Sequence, residues 1–197
     1  ADAGVVAVAG AACSGASIGA NSVLSAAGIP MISFASTSPA LSDAVSYPHF
    51  YRVVPSDAYQ GDALADVISA AGLRNTAILS MTNAYGAGVG DAFAAAFEAK
   101  ADHQVCTRFA YETGTSFTTA VVADAIAAVL AGSSDGAACD SVLLASYSPD
   151  GAMLLGALRE QESMIPAFGP DGMAGGAVVD AFTAAGITTA ALDGMVS

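Results

Sequence analysis

Two sets of polar residues carry chemistry in this 197-residue chain, and both fall where strands run out into loops. In GAACSGAS, Ser14, Gly15 and Ser17 stand at the start of a predicted helix, where small hydroxyls and free backbone N–H groups attract an anion. In SFASTSPAL, Ser33, Ser36, Thr37 and Ser38 crowd the residues before Pro39. The second set is Tyr85 in TNAYGAGVGDAF, Tyr147 in SYSPDGA and Asp171 in FGPDG. Singly, the first loop reads equally well as a plain N-cap, and the others read better as a Ser/Thr turn, packing tyrosines and a turn-forming Asp. Their shared place at one end of the strands makes them a candidate site.

The basic residues narrow the ligand. A phosphate or dicarboxylate usually recruits Arg or Lys, whereas hydroxyls and a helix N-terminus suffice for one carboxylate. Arg52, Arg74, Lys100, Arg108 and Arg159 are all expected away from these loops. With Asp171 facing an ammonium from the opposite side, the pocket suits a small zwitterion such as an α-amino acid.

Enzymatic readings find less support, and no catalytic residues, cofactor or metal are expected. Gly86 to Gly90, GAGVG, evokes a dinucleotide fingerprint with Glu112 as the ribose acid, but Asp91 stands where the motif needs a small residue. Ser14 lacks the glycines of a nucleophile elbow, and the two histidines, His49 and His103, fall away from it. Three cysteines and two histidines show no metal-ligand spacing.

The elements that must position these groups alternate. Apolar β-rich runs cover 4–9, 30–36, 50–54, 76–81, 104–111, 141–147 and 165–169. Between them lie helical stripes: Leu64, Val67, Ile68 and Ala71; Val121, Val122, Ala125, Ile126, Val129 and Leu130; Met153, Leu154, Ala157 and Leu158. Gly28, Gly72 and Gly186 supply helix stops. The fold class is α/β, with parallel sheets flanked by helices. Between Pro39 and Asp57 three prolines and an isolated short strand mark a passage between lobes. Residues 1–53 are expected to form part of a first lobe with its crossover, 54–193 the second lobe, and 194–197 the start of a return crossover. The first lobe, with two strands of its own, reads as incomplete.

A net charge of −13 would repel nucleic acid and anionic membranes, so neither is an expected partner. Although 54% of residues are hydrophobic, no run approaches the roughly 18 apolar residues of a membrane span. No signal peptide is recognisable at the start of the sequence. Cys106 opens one predicted strand and Cys139 precedes the next; if those strands are neighbours, a disulfide at the end opposite the site is reasonable and implies an oxidising compartment. Cys13 is the odd cysteine.

ACSGAS, AGIPMISFASTSPALSD, FYRVVPSDAYQGDALAD, AYGAG and FGPDG follow in an order that resembles the branched-chain (leucine/isoleucine/valine) amino-acid binding proteins of the periplasmic-binding type I fold. The resemblance implies a Venus-flytrap protein of the periplasm, delivering an aliphatic amino acid to the permease subunits of an ABC importer. It also implies that Ser14 and Thr37 hold the ligand carboxylate, that the Ala35 backbone and Thr37 help the ammonium, and that Ser36 lies in the same loop. Tyr85 and Tyr147 would close from the second lobe, with Asp171 as the acidic partner of the amino group. It further implies that Cys13 pairs with a cysteine earlier in such proteins. A sensor or receptor domain of the same fold is the alternative.

Overall fold

The computed structural model describes residues 4–133 and 136–196. Its first part contains β1 (Val8–Ala9), α1 (Ser14–Ala26), β2 (Met31–Ser33), a 3-10 turn at Pro39–Ser42 and β3 (Phe50–Arg52). These strands form a parallel sheet in the order β1-β2-β3. The run at 50–54, expected to stand alone between lobes, therefore pairs with β2, Met31 opposite Phe50 and Ser33 opposite Arg52. A strand after a proline-rich stretch still finds the adjacent edge, because its N–H groups need partners.

The second part contains α2 (Asp57–Ala70), β4 (Asn75–Met81), α3 (Ala84–Glu98), β5 (Gln104–Tyr111), α4 (Thr119–Ala131), β6 (Ser141–Ala145), α5 (Ser148–Glu160), β7 (Ala167–Phe168), α6 (Gly176–Ala184) and β8 (Met195–Val196). Its parallel sheet runs β5-β4-β6-β7-β8. Met195–Val196, expected to begin a crossover, is the outermost strand of this sheet, paired with β7.

The sheet of the second part is sealed by the alternation that a strand imposes on its side chains. Along β4, Ala77, Leu79 and Met81 point to one face, where they join Val122, Ala125, Ile126, Leu154, Leu158 and Phe182 from α4, α5 and α6. Ile78 points to the other and joins Ala65, Ile68, Phe93 and Phe97 from α2 and α3. The predicted stripe of α2 is rotated: Ile68 is buried, but Val67 is 47% exposed, because Gly61 brings the α2 backbone against α3, where a Cβ would lie 2.6 Å from the Ala92 carbonyl carbon. Gly28 and Gly72 sit at φ +66° and +84°, the left-handed geometry that ends α1 and α2.

Cys106 and Cys139 form a disulfide with Cα atoms 5.7 Å apart. The reason differs from the one expected, since β4 lies between β5 and β6. Cys106 is the extra residue where the register jumps between Thr76 and Ala77, and the bridge passes from that irregularity to the chain entering β6.

Candidate functional site

The carboxyl ends of β1, β2, β4, β6 and β7 all lead into the polar loops singled out above, the arrangement in which open parallel sheets bind ligands. From the first part, Ser14 begins α1 and is 2% exposed, and its Oγ accepts from the Ser38 N–H at 3.1 Å. That leaves its own O–H to offer an anion. Ser36 is turned inward: its hydroxyl meets Ser17 Oγ at 2.7 Å and the Ala11 carbonyl at 3.1 Å. Ser33 completes this network, donating to Ala11 O and accepting from the N–H groups of Ala35 and Ser36. Ser17, Ser33 and Ser36 thus shape the loops. An ammonium only donates, so the backbone group that Ala35 can offer it is the carbonyl.

Thr37 is buried, and its Oγ1 completes no hydrogen bond. Beside it stands Asp57, the first residue of α2 after the capping Ser56, 1% exposed and with Oδ2 likewise without a partner. Its backbone N–H donates to the Thr37 carbonyl at 2.9 Å. Burial pushes the Asp57 carboxyl up to about 6 and Asp171 pushes the same way, while the Thr37 hydroxyl and Arg52 oppose the rise.

From the second part, α3 begins at Asn83, whose side chain caps the N–H groups of Tyr85 and Gly86 and so fixes Tyr85. Tyr85 Oη donates to Asp171 Oδ1 at 2.6 Å and accepts from the Gly172 N–H at 2.9 Å. Gly172 is required there, because a Cβ would lie 2.7 Å from Tyr85 Oη and 2.9 Å from the Ser146 carbonyl. Tyr147, at the start of α5, stacks on Tyr85 with ring centroids 5.0 Å apart and planes 5° from parallel. Burial raises both phenols above their ordinary range, so both remain neutral donors. Cys13, from the first part, adds to the rise of the Tyr147 phenol, and it is exposed and without a disulfide partner among the described residues.

Gln60 ties the acids together. With its amide nitrogen turned toward them, it donates to Asp171 Oδ1 at 3.1 Å and Asp57 Oδ1 at 3.3 Å, while its oxygen accepts from the Asp171 N–H at 3.0 Å. Hydrogen bonds and ring stacking thus connect Tyr85, Tyr147 and Asp171 with Gln60 and Asp57, Asp57 is bonded in turn to the Thr37 backbone, Ser14 holds the adjacent Ser38, and Ser36 is turned away into the first part's own hydroxyl network. The overlooked pair, Asp57 and Gln60, begins a helix in VVPSDAYQ. The legible signal was an acid directly after an N-cap in a passage joining two sheets.

Arg52 is the basic residue nearest the site, contrary to expectation, and it is turned to protein carbonyls: Nη1 donates to Ser38 O at 2.9 Å and Ser36 O at 3.4 Å. Arg108 pairs with Asp91, Lys100 with Asp66, and Arg159 holds the carbonyls of Ser163 and Ile165. Gly86 and Gly88, the supposed dinucleotide glycines, serve packing, since a Cβ would meet Met81 at 2.7 Å and Pro39 Cδ at 2.8 Å. Among the described residues there is no cluster of three or more metal-ligating groups, and no helix is long and apolar enough to cross a membrane.

A family profile described as the receptor family ligand binding region matches residues 1–168. Similar proteins include metabotropic glutamate receptor 6 of Oryctolagus cuniculus, 45% identical over 89 residues, which is 45% of this chain and 10% of the receptor. Metabotropic glutamate receptor 8 of Homo sapiens is 43% identical over 86 residues, 44% of this chain and 10% of the receptor. The matched segment spans about a tenth of these relatives.

Proposed function

This chain belongs to the family of receptor ligand-binding regions, and on that premise we propose that it forms the ligand cleft of an extracytoplasmic receptor or sensor that binds an α-amino acid. The observation that carries the reading is the acid pair. Asp57 is buried beside Asp171, and its only cationic neighbour among the described residues, Arg52, is directed at carbonyl groups. A buried carboxylate is stabilised by a cation with hydrogen-bonding protons, and a ligand ammonium supplies both. Thr37 Oγ1 and the Ser14 O–H lie on the side of the first sheet and would receive the carboxylate. The stacked tyrosines would cover the ligand from the second.

Closure would then follow from contacts that the ligand makes with both parts at once. The receptor reading takes precedence over the importer reading, because the family profile is one of receptors and the similar proteins are named as receptors. Those names make glutamate the first amino acid to try, with neutral L-leucine beside it, because Arg52, Lys100, Arg108 and Arg159 are turned to protein groups and not to a second ligand carboxylate. The disulfide accords with an oxidising, extracytoplasmic setting.

A thermal-shift series tests the proposal. L-glutamate, L-leucine and other free amino acids are compared with their N-acetyl forms, which lack the ammonium. At a hundredfold excess over Kd a specific ligand stabilises by about 2.7 kcal/mol. Stabilisation by at least one free amino acid, and none by its N-acetyl form, is expected. Equal shifts with both forms, or none with any amino acid, would sink the reading.

A further inference from the structure

We propose that Arg52 is a positioning residue of the cleft: from behind the 36–38 loop it fixes the backbone that carries Thr37 and places a positive charge behind Asp57. The inference deepens the amino-acid reading, and only its binding arm rests on it.

Arg52 ends β3, opposite Ser33 of β2, so its side chain leaves the sheet where the 36–38 loop begins. One nitrogen, Nη1, donates to the carbonyls on either side of Thr37, those of Ser36 and Ser38. The other, Nη2, donates to Ser42 Oγ in the following 3-10 turn. The loop so held accepts the Asp57 N–H through the Thr37 carbonyl. One guanidinium, the ligand loop and the first residue of α2 thus form a continuous chain of hydrogen bonds. A planar fork with several fixed donors can span three acceptors, which a single ammonium cannot do at the same positions.

The charge argument is independent of that clamp. The groups that face Asp57 are Arg52 from β3, Asp171 from the turn after β7, Tyr85 from α3 and Tyr147 from the start of α5, with Thr37 and Gln60 as uncharged neighbours. Among them Arg52 is the one cation. Burial and Asp171 both favour the protonated carboxyl, and Arg52 opposes them. Without it, Asp57 would lose part of the charge that an ammonium ligand needs.

The test compares wild type with Arg52→Met and Arg52→Lys. In ligand-free protein, the carboxyl carbon of Asp57 is followed by NMR through pH 4 to 9, assigned by its loss in Asp57→Asn. Arg52→Met should raise the midpoint, and Arg52→Lys should leave it nearly unchanged. Amide hydrogen exchange at Thr37 and Ser38 should quicken in both variants, because neither restores the fork. An unchanged Asp57 midpoint in Arg52→Met, or unchanged exchange in Arg52→Lys, overturns the proposal. If Arg52→Met fails to fold, the exchange measured in Arg52→Lys decides. In the binding arm, both variants should weaken L-glutamate by about tenfold at pH 8, where Asp57 is ionised. A wild-type protein that binds no amino acid defeats the functional reading and leaves titration and exchange to decide the role of Arg52.

Discussion

Phe93 and Phe97 close one face of the five-stranded sheet and Leu79, Met81 and Phe182 the other, whereas the three-stranded sheet leaves Ile32 48% and Tyr51 56% exposed. The buried side chains of α1 are Ser14, Ser17 and Asn21, and the helix is tied to its loops through Ser17, Ser33 and Ser36. Apolar packing is strong but non-directional, while a hydroxyl network is weak per bond and sets geometry closely. The second sheet therefore supplies the stability of the described residues. The first supplies shape to the loops that face the ligand.

The comparison breaks most readily at Phe97, which packs on Phe93 at 4.9 Å and meets the edge of His103 at 4.7 Å. Phe97→Ala should cost about 3–5 kcal/mol in urea unfolding. A cost below about 1 kcal/mol would mean that the second sheet is not the stabilising unit. Reduction of Cys106–Cys139, which closes a loop with sequence separation 33, should cost about 3–4 kcal/mol by the same measurement.

Asp57 marks where the two chemistries meet, and its stability effect has the opposite sign. Its folded-state carboxyl is raised from 3.8 to about 6, so the folded protein holds the proton more tightly than the unfolded chain does. The resulting destabilisation is absent below about pH 4, develops between 4 and 6, and is complete above, reaching at most about 3 kcal/mol. Asp57→Asn should therefore stabilise ligand-free protein by about 1–3 kcal/mol at pH 7.5 and flatten the decline between pH 4 and 6. Denaturation across that range reads both effects, and an Asn variant less stable than wild type at pH 7.5 would refute them. Ile32→Ser, on the exposed face, should change stability by no more than about 0.5 kcal/mol.

Much of this was legible in the sequence. The α/β alternation followed from the apolar runs and helix stops, and Val122, Ala125, Ile126 and Val129 lie buried where the spacing of α4 put them. Ser14, Thr37, Tyr85, Tyr147 and Asp171 could be singled out as candidates because strand ends and turn chemistry are local signals. Other features depended on tertiary placement. Ser36 and Thr37 are adjacent hydroxyls that face opposite ways, and nothing in their types tells them apart. The pairing of β3 and the position of β4 between β5 and β6 depend on strand order, which the sequence does not print. Asp57 and Arg52 both fell in a stretch read as a passage, and only folding brings one into the cleft and the other behind its loop.

Calorimetry of L-glutamate binding at pH 6, in buffers of different ionisation enthalpy and with Asp57→Asn alongside, tests the central claim most directly. An ammonium docking on Asp57 must displace the proton that this carboxyl carries half the time at its midpoint. The account predicts release of roughly half a proton at pH 6 and almost none at pH 8, with affinity at least about thirtyfold weaker in Asp57→Asn. Binding with no proton release and with affinity unchanged in Asp57→Asn would contradict it.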